Sequence, residues 1–246
     1  MSLHLAKIIA HRGAPKEAPE NTLISFRRAK AAGAVWVEFD VALTRDERPV
    51  IFHDDALDRT SDGSGLLAET DFETVKHLDA GGWFGREFAG EPVPTLEEAI
   101  DLFIELGLNI NMELKTDAGR EARLAEIAVP IVKEMWPRDR PQPLISSFSR
   151  VAVAAAREHA QDWPMDVIYD RIPEDWAEAA KKLGLAAMGA NQKHLTRQQV
   201  MEIRGAGYAL TSYTVNEIDR AATLFQWGVD AIFTDVPGEM VRRFGA

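Results

Sequence analysis

The chain has 246 residues, and its 28 basic and 39 acidic side chains give a formal net charge of −11 with histidine counted as neutral. The acidic balance argues against a nucleic-acid-binding protein and against stable anchoring on an anionic membrane, while the lack of cysteine excludes disulfides, cysteine-ligated zinc and a thiolate nucleophile. A hydrophobic content of 46% is typical of a packed globular protein. The sequence has no apolar run long enough for a membrane span and no signal-peptide pattern at its N-terminus, so we expect a cytoplasmic protein.

Short apolar segments alternate with amphipathic helical patterns along the whole chain. The predicted strands are residues 7–10, 35–41, 109–114, 143–147, 165–169, 185–190, 208–213 and 230–234. The predicted helices are residues 22–32, 95–106, 120–135, 150–159, 174–183, 197–206 and 217–227. This alternation is typical of a parallel sheet, and eight units in roughly 250 residues fit a (β/α)₈ TIM barrel. A doubly wound open sheet is the alternative.

One interval is too long for an ordinary loop. Residues 42–94 separate the second predicted strand from the next predicted helix, which starts with a capping box at Thr95 and Glu98. The interval contains a short strand pattern at 49–52 and glycine-rich aromatic sequence at 79–85. We therefore predict a structured insertion within a single domain that spans residues 1–246.

Charged residues occur at the ends of two strands that are otherwise apolar. Glu38 and Asp40 lie two apart, as do Glu113 and Lys115, so each pair shares one face of its strand. In a barrel these faces meet at the carboxyl-end rim, where three carboxylates would repel one another unless a cation lay between them. Oxygen ligands favour magnesium, calcium or manganese. The alternative is that each pair is a salt-bridged strand end, with Lys115 as the counter-ion of Glu113.

Two of the six histidines adjoin charged residues at strand ends. His11 and Arg12 follow the first strand, and His53 follows the inserted strand and precedes Asp54. Imidazoles titrate close to physiological pH and can act as base and acid, while an arginine can bind an anionic oxygen with two hydrogen bonds. Together with a metal, these residue types predict a site for a phosphate ester.

Several short motifs occur in a fixed order between about residues 7 and 238. They are His11-Arg12-Gly13, Ala18-Pro19-Glu20-Asn21-Thr22, Glu38-Phe39-Asp40-Val41, His53-Asp54, Glu113-Leu114-Lys115, Thr214-Val215-Asn216 and Phe233-Thr234-Asp235. No single motif is specific, but the ordered set resembles the glycerophosphodiester phosphodiesterase family, in particular its small cytosolic bacterial members.

The resemblance implies a TIM barrel and a metal-dependent reaction. Glycerophosphodiesters such as glycerophosphocholine or glycerophosphoethanolamine would be hydrolysed to sn-glycerol 3-phosphate and an alcohol. The residues that match the family's site are His11 and His53 as the acid–base pair, Arg12 and Lys115 as phosphate ligands, and Glu38, Asp40 and Glu113 as metal ligands. Which histidine is the acid, and whether water or the glycerol 2-hydroxyl attacks first, is left open, as are the head group, the metal and the oligomeric state.

Five further residues are candidates for the pocket lining: Glu20, Asn21, Trp83, Phe148 and Tyr213. Trp83 would either cover the site or pack in a small core of the insertion. Two other functions are alternatives: a lipid-directed phosphodiesterase or lyase, and a barrel that binds a metal or an anion without turnover. The acidic surface disfavours the first, and the complete set of catalytic residue types disfavours the second.

Overall fold

A computed structural model describes residue 3 and residues 5–117 and 119–245, and these form a closed parallel barrel. Its strands are β1 (Ile8–His11), β2 (Trp36–Leu43), β4 (Asn109–Leu114), β5 (Leu144–Ser147), β6 (Met165–Tyr169), β7 (Ala187–Asn191), β8 (Ala209–Tyr213) and β9 (Ala231–Thr234), with β3 (Pro49–Ile51) outside the barrel. The barrel closes where β1 pairs in parallel with both β2 and β9. The predicted TIM barrel is thus confirmed, and the open-sheet alternative is wrong.

Helices follow the barrel strands on the outside of the barrel, and one further helix of four residues lies in the insertion. They are α1 (Leu23–Ala31), α2 (Phe72–Val75), α3 (Leu96–Leu106), α4 (Glu121–Met135), α5 (Arg150–His159), α6 (Trp176–Leu183), α7 (Arg197–Gly205), α8 (Ile218–Trp227) and α9 (Pro237–Phe244). The capping box predicted at Thr95 forms with Glu98 at the start of α3. Helix α9 is not among the predicted helices; it has Pro237 in its first turn and packs against β1.

The predicted insertion follows β2. Its strand β3 pairs antiparallel with β2 through Val41 and Ile51, and ends one residue before the predicted end at residue 52. Three short 3₁₀ turns follow at Leu57–Arg59, Leu67–Glu69 and Arg86–Phe88. The buried residues of the insertion form a hydrophobic cluster apart from the main core: Ala42, Val50, Phe52, Leu57, Leu67, Val75, Ala80 and Val93. The insertion therefore has a core of its own.

Packing outside β2 decides which of its side chains face the barrel interior. Phe39 packs against Phe26 of α1 and Phe103 of α3, with ring centroids 6.4 and 4.9 Å away. Since successive side chains of a strand point to opposite faces, Glu38 and Asp40 face the barrel interior. The aromatic cluster thus orients the charged face of β2.

Candidate active site

Three carboxylates converge at the carboxyl end of β2 and β4. In the parallel ladder Asp40 is the partner of Glu113, and one carboxylate oxygen from each of Glu38, Asp40 and Glu113 lies within 4.8 Å of the others. Oε1 of Glu38 and Oδ1 of Asp40 are buried and have no hydrogen-bond partner among the described residues. Buried carboxylate oxygens that lack a donor fit a cation, and an all-oxygen set suits a hard divalent ion. The cluster therefore has the donors of a metal site.

The electrostatics of the cluster support this fit. Burial, together with the neighbouring Asp40, raises the pKa of Glu113 to about 7 and the pKa of Glu38 well above its usual range. Burial also opposes ionisation of Asp40, but the charges of Arg12, His53 and Lys115 outweigh it and lower the pKa of Asp40. Without a cation, three carboxylates at this spacing resist full ionisation, which a divalent ion would relieve.

The loop after β1 places Arg12 beside the cluster. Its backbone N–H donates to Oε2 of Glu38 at 3.0 Å, its Nε lies 3.0 Å from Oδ2 of Asp40, and its Nη1 donates to Oε1 of Glu20 at 2.7 Å. Asn21 donates from Nδ2 to the same Asp40 oxygen at 2.8 Å. Acidic partners therefore already fix the predicted phosphate ligand Arg12 within the site.

This loop curls tightly, and its backbone explains the glycine after Arg12. Arg12 and Asn21 both have positive φ angles, 52° and 57°, and Gly13 has a φ of 90°. A Cβ atom at Gly13 would lie 2.7 Å from the backbone carbon of Ser25 in α1. Only glycine fits this position without a shift of α1.

A carboxylate holds each of the two predicted histidines. Nδ1 of His11 lies 2.7 Å from Oδ1 of Asp235, at the end of β9, and Nδ1 of His53 is hydrogen-bonded to Asp54. Because an ionised carboxylate only accepts hydrogen bonds, Nδ1 of each imidazole is the donor, which leaves Nε2 to exchange a proton. Burial lowers the pKa of His53, as do the charges of Arg12 and Lys115, against the opposing effects of Asp40 and Asp54. The neutral form of His53 is thereby favoured.

Lys115, just beyond β4, contacts both the carboxylate cluster and the ring of Phe148. Its Nζ donates to Oε1 of Glu113 at 3.0 Å and lies 5.6 Å from the centroid of the Phe148 ring. Glu113 and Asp40 keep the pKa of Lys115 above its usual value despite its burial, so the ammonium stays charged. The predicted counter-ion contact with Glu113 is present, and Lys115 also lines the cavity described next.

A cavity of about 220 Å³ opens at this rim. Its lining comprises His11, Arg12, Glu38, His53, Asn111, Glu113, Lys115, Phe148, Ile168, Tyr213, Thr214 and Phe233. Charged side chains form part of this lining, and Phe148 and Tyr213, whose rings meet edge to face with centroids 5.7 Å apart, form another part. The cavity thus suits a small molecule with an anionic part and a carbon skeleton.

The remaining pocket candidates lie elsewhere. Glu20 and Asn21 line a much smaller neighbouring cavity of about 10 Å³, which His53 also lines and which has room for about one water molecule. Trp83 is 42% exposed, donates from Nε1 to the carbonyl of Ala80 and packs edge-on against Phe84. It is not among the described residues that line either cavity, so its contacts are those of packing within the insertion.

The structure adds site residues to which the sequence analysis gave no role. Asp235 holds His11 and is itself held by Asn216, whose Nδ2 donates to Oδ2 of Asp235 at 2.7 Å. Asp235 and Asn216 both belong to the quoted motifs, so the signal was present. What the sequence could not show is the contact with His11, which joins residues 224 positions apart across the closed barrel.

None of the helices in the described ranges is long and apolar enough to cross a membrane.

The carboxylate cluster, the two histidines, the arginine and the lysine all lie at the carboxyl end of the barrel strands. This is where TIM-barrel enzymes have their active sites. Residues 11–239 match the model of the glycerophosphoryl diester phosphodiesterase family. The chain belongs to this family, and the predicted enzyme class is confirmed.

Individual relatives agree with this assignment. A glycerophosphodiester phosphodiesterase of Caldanaerobacter subterraneus is 32% identical over 236 residues, which cover 96% of each chain. The structure of an Oleispira antarctica phosphodiesterase in complex with the product sn-glycerol-3-phosphate superposes with a TM-score of 0.95 at 39% identity, covering 98% of both chains. A Silicibacter pomeroyi structure described as a putative glycerophosphoryl diester phosphodiesterase gives a TM-score of 0.85 at 28% identity, covering 97% of this chain and 92% of that one.

Proposed function

We propose that the protein hydrolyses small glycerophosphodiesters, such as glycerophosphocholine and glycerophosphoethanolamine, to sn-glycerol 3-phosphate and the head-group alcohol. The main support for this proposal is that His11 and His53 line the same cavity as Lys115 and two members of the carboxylate cluster, Glu38 and Glu113. The product bound to the Oleispira antarctica relative supports the same chemistry. The aromatic rings of Phe148 and Tyr213 in the cavity lining offer an apolar surface for the carbon atoms of the substrate.

In this proposal Glu38, Asp40 and Glu113 hold a divalent ion, for which magnesium, calcium and manganese are the candidates. Bound there, such an ion would supply positive charge that balances the phosphoryl oxygens. Glu38 and Glu113 must lose their protons to serve as ligands, because a metal competes with a proton for the same oxygen.

Side chains of the protein bind the phosphoryl group and transfer the protons. Arg12 and Lys115 orient the phosphoryl group through its anionic oxygens. The attacking group is either water or the 2-hydroxyl of the glycerol. One histidine accepts a proton at its Nε2 from this group while the attacking oxygen forms its bond to phosphorus. The bond from phosphorus to the head-group oxygen breaks, and the other histidine gives its Nε2 proton to that oxygen. Attack by the glycerol hydroxyl would give a cyclic phosphate, which water must then open by attack at phosphorus, with the bond to the 2-oxygen breaking and that oxygen taking up a proton, to give sn-glycerol 3-phosphate. Accumulation of the cyclic phosphate under single-turnover conditions distinguishes the two routes.

The experiment is a comparison of substrates and histidine variants. We expect release of sn-glycerol 3-phosphate from glycerophosphocholine, little choline release from lysophosphatidylcholine, and a loss of at least about 10²-fold in kcat for His11→Ala and His53→Ala. His77→Ala is the matched control, because His77 lies in the insertion and the hydrogen bond of its imidazole among the described residues is to the backbone carbonyl of Glu73. Equal activity of the two histidine variants and the control would contradict the proposal, as would a preference for the lysolipid.

A further inference from the structure

Arg59 connects two acidic residues that lie on different segments of the chain. It ends the 3₁₀ turn Leu57–Arg59 of the insertion, and its Nε and Nη2 both donate to the carboxylate of Asp54, the latter at 2.9 Å. Its Nη1 and Nη2 donate to the two oxygens of Glu20 at 2.9 and 2.7 Å. One guanidinium therefore makes four hydrogen bonds and joins the insertion to the loop after β1.

Both acceptors of Arg59 have a second partner within the site. Asp54 is hydrogen-bonded to Nδ1 of His53, and Glu20 accepts from Nη1 of Arg12. A continuous series of contacts thus runs from His53 through Asp54, Arg59 and Glu20 to Arg12. Arg59 itself is not among the described residues that line the large cavity.

The contacts of Arg59 differ from those of an ordinary surface ion pair, which contributes little to the stability of a protein because both side chains remain mobile in water. Arg59 is 46% exposed at its side chain, but Glu20 and Asp54 are only 12% and 24% exposed. Without Arg59, two largely buried carboxylates would face each other with fewer donors, and either could rotate and carry His53 or Arg12 with it. A planar guanidinium with donors on several edges can serve both carboxylates together, whereas a lysine ammonium offers a single charged centre.

We propose that Arg59 is a positioning residue, which fixes the imidazole of His53 through Asp54 and the guanidinium of Arg12 through Glu20. The inference rests on the proposed function for its activity readout. It predicts that the loss of Arg59 changes both the chemical step, through His53, and substrate binding, through Arg12. A side chain that only stabilised the fold would change neither parameter in the folded molecules.

The test compares Arg59→Ala and Arg59→Lys with the control Arg45→Ala. Arg45 also donates two hydrogen bonds to one carboxylate, that of Asp71, but its side chain is 61% exposed and lines neither cavity. With glycerophosphocholine we expect Arg59→Ala to lose about 10- to 100-fold in kcat and to raise KM several-fold. Arg59→Lys should recover only part of kcat, and Arg45→Ala should stay within about twofold of the wild type. If Arg59→Ala does not fold, kcat and KM of Arg59→Lys are compared with those of Arg45→Ala instead.

A second readout does not depend on turnover. The Nδ1 proton of His53, assigned by its loss in His53→Ala, should give a downfield hydrogen-bonded NMR signal that is kept in Arg45→Ala and shifted or broadened beyond detection in both Arg59 variants. An unchanged signal, with kcat and KM equal to those of the control, would overturn the role of Arg59. A wild-type protein that is inactive on every glycerophosphodiester would instead refute the proposed function, and the NMR comparison would still decide the positioning of His53.

Discussion

The protonation of Glu113 makes metal binding at the carboxylate cluster dependent on pH. In the metal-free protein burial raises the pKa of Glu113 to about 7, and a metal must displace that proton. The apparent dissociation constant therefore scales with one plus ten to the power (pKa − pH), a factor of about 11 at pH 6 and about 1.1 at pH 8. We expect at least about tenfold weaker binding of Mn²⁺ at pH 6 than at pH 8, equivalent to about 1.4 kcal/mol, since the raised pKa of Glu38 acts in the same direction.

Isothermal titration of chelator-treated protein with Mn²⁺ at the two pH values measures this difference directly. Glu113→Gln is the matched variant, because it keeps the shape of the side chain but removes the titrating group, and it should bind Mn²⁺ weakly and with a smaller pH dependence. The free energy of unfolding of the metal-free protein should depend on pH in the same range. A carboxyl group whose pKa is higher in the folded than in the unfolded chain stabilises the metal-free protein at low pH, and this contribution is lost as the pH rises from about 4.5 to 7. An Mn²⁺ affinity that is equal at pH 6 and pH 8 would refute the reasoning.

Two further predictions concern residues that support the site. Asp235→Asn should lower kcat by about 10- to 100-fold, because an amide in place of the carboxylate no longer favours the donor state of His11 Nδ1, while the melting temperature should change little. A kinetic comparison with Asp230→Asn, whose carboxylate contacts Leu210 and Arg204 instead, checks this, and equal kcat values for the two variants would contradict it. Gly13→Ala should destabilise the fold by about 1–3 kcal/mol, because it combines a positive φ with contact to the backbone of Ser25. Gly90→Ala also has a positive φ but meets open space, so denaturant unfolding should show a larger loss for Gly13→Ala, and equal losses would exclude the steric argument.

The sequence was sufficient for the barrel because each strand and most helices carry their own local signals. Apolar segments recur in every unit, a capping side chain or a terminal glycine marks most of the helices between them, and the alternation is compatible with few architectures. Helix α9 was missed because Val236, Pro237 and Gly238 are more typical of a turn than of a helix start, and its stability depends on packing against β1. That residues 1–246 form one domain stays a prediction.

The site was predicted to the extent that it follows from strand periodicity. Glu38, Asp40 and Glu113 meet because alternate residues of neighbouring parallel strands share one face, which the sequence displays. The contacts of Asp235 and Arg59 depend on closure of the barrel and on the path of the insertion, and no local pattern encodes either one. The placement of Trp83 on the insertion surface depends on that same path.

Metal-dependent release of sn-glycerol 3-phosphate from glycerophosphocholine tests the central claim most directly. The chelated protein should release none above background, and one of Mg²⁺, Ca²⁺ or Mn²⁺ should restore release in the wild type but not in Glu113→Gln. Undiminished release by the chelated protein, or equal restoration in Glu113→Gln, would contradict a catalytic metal held by Glu38, Asp40 and Glu113.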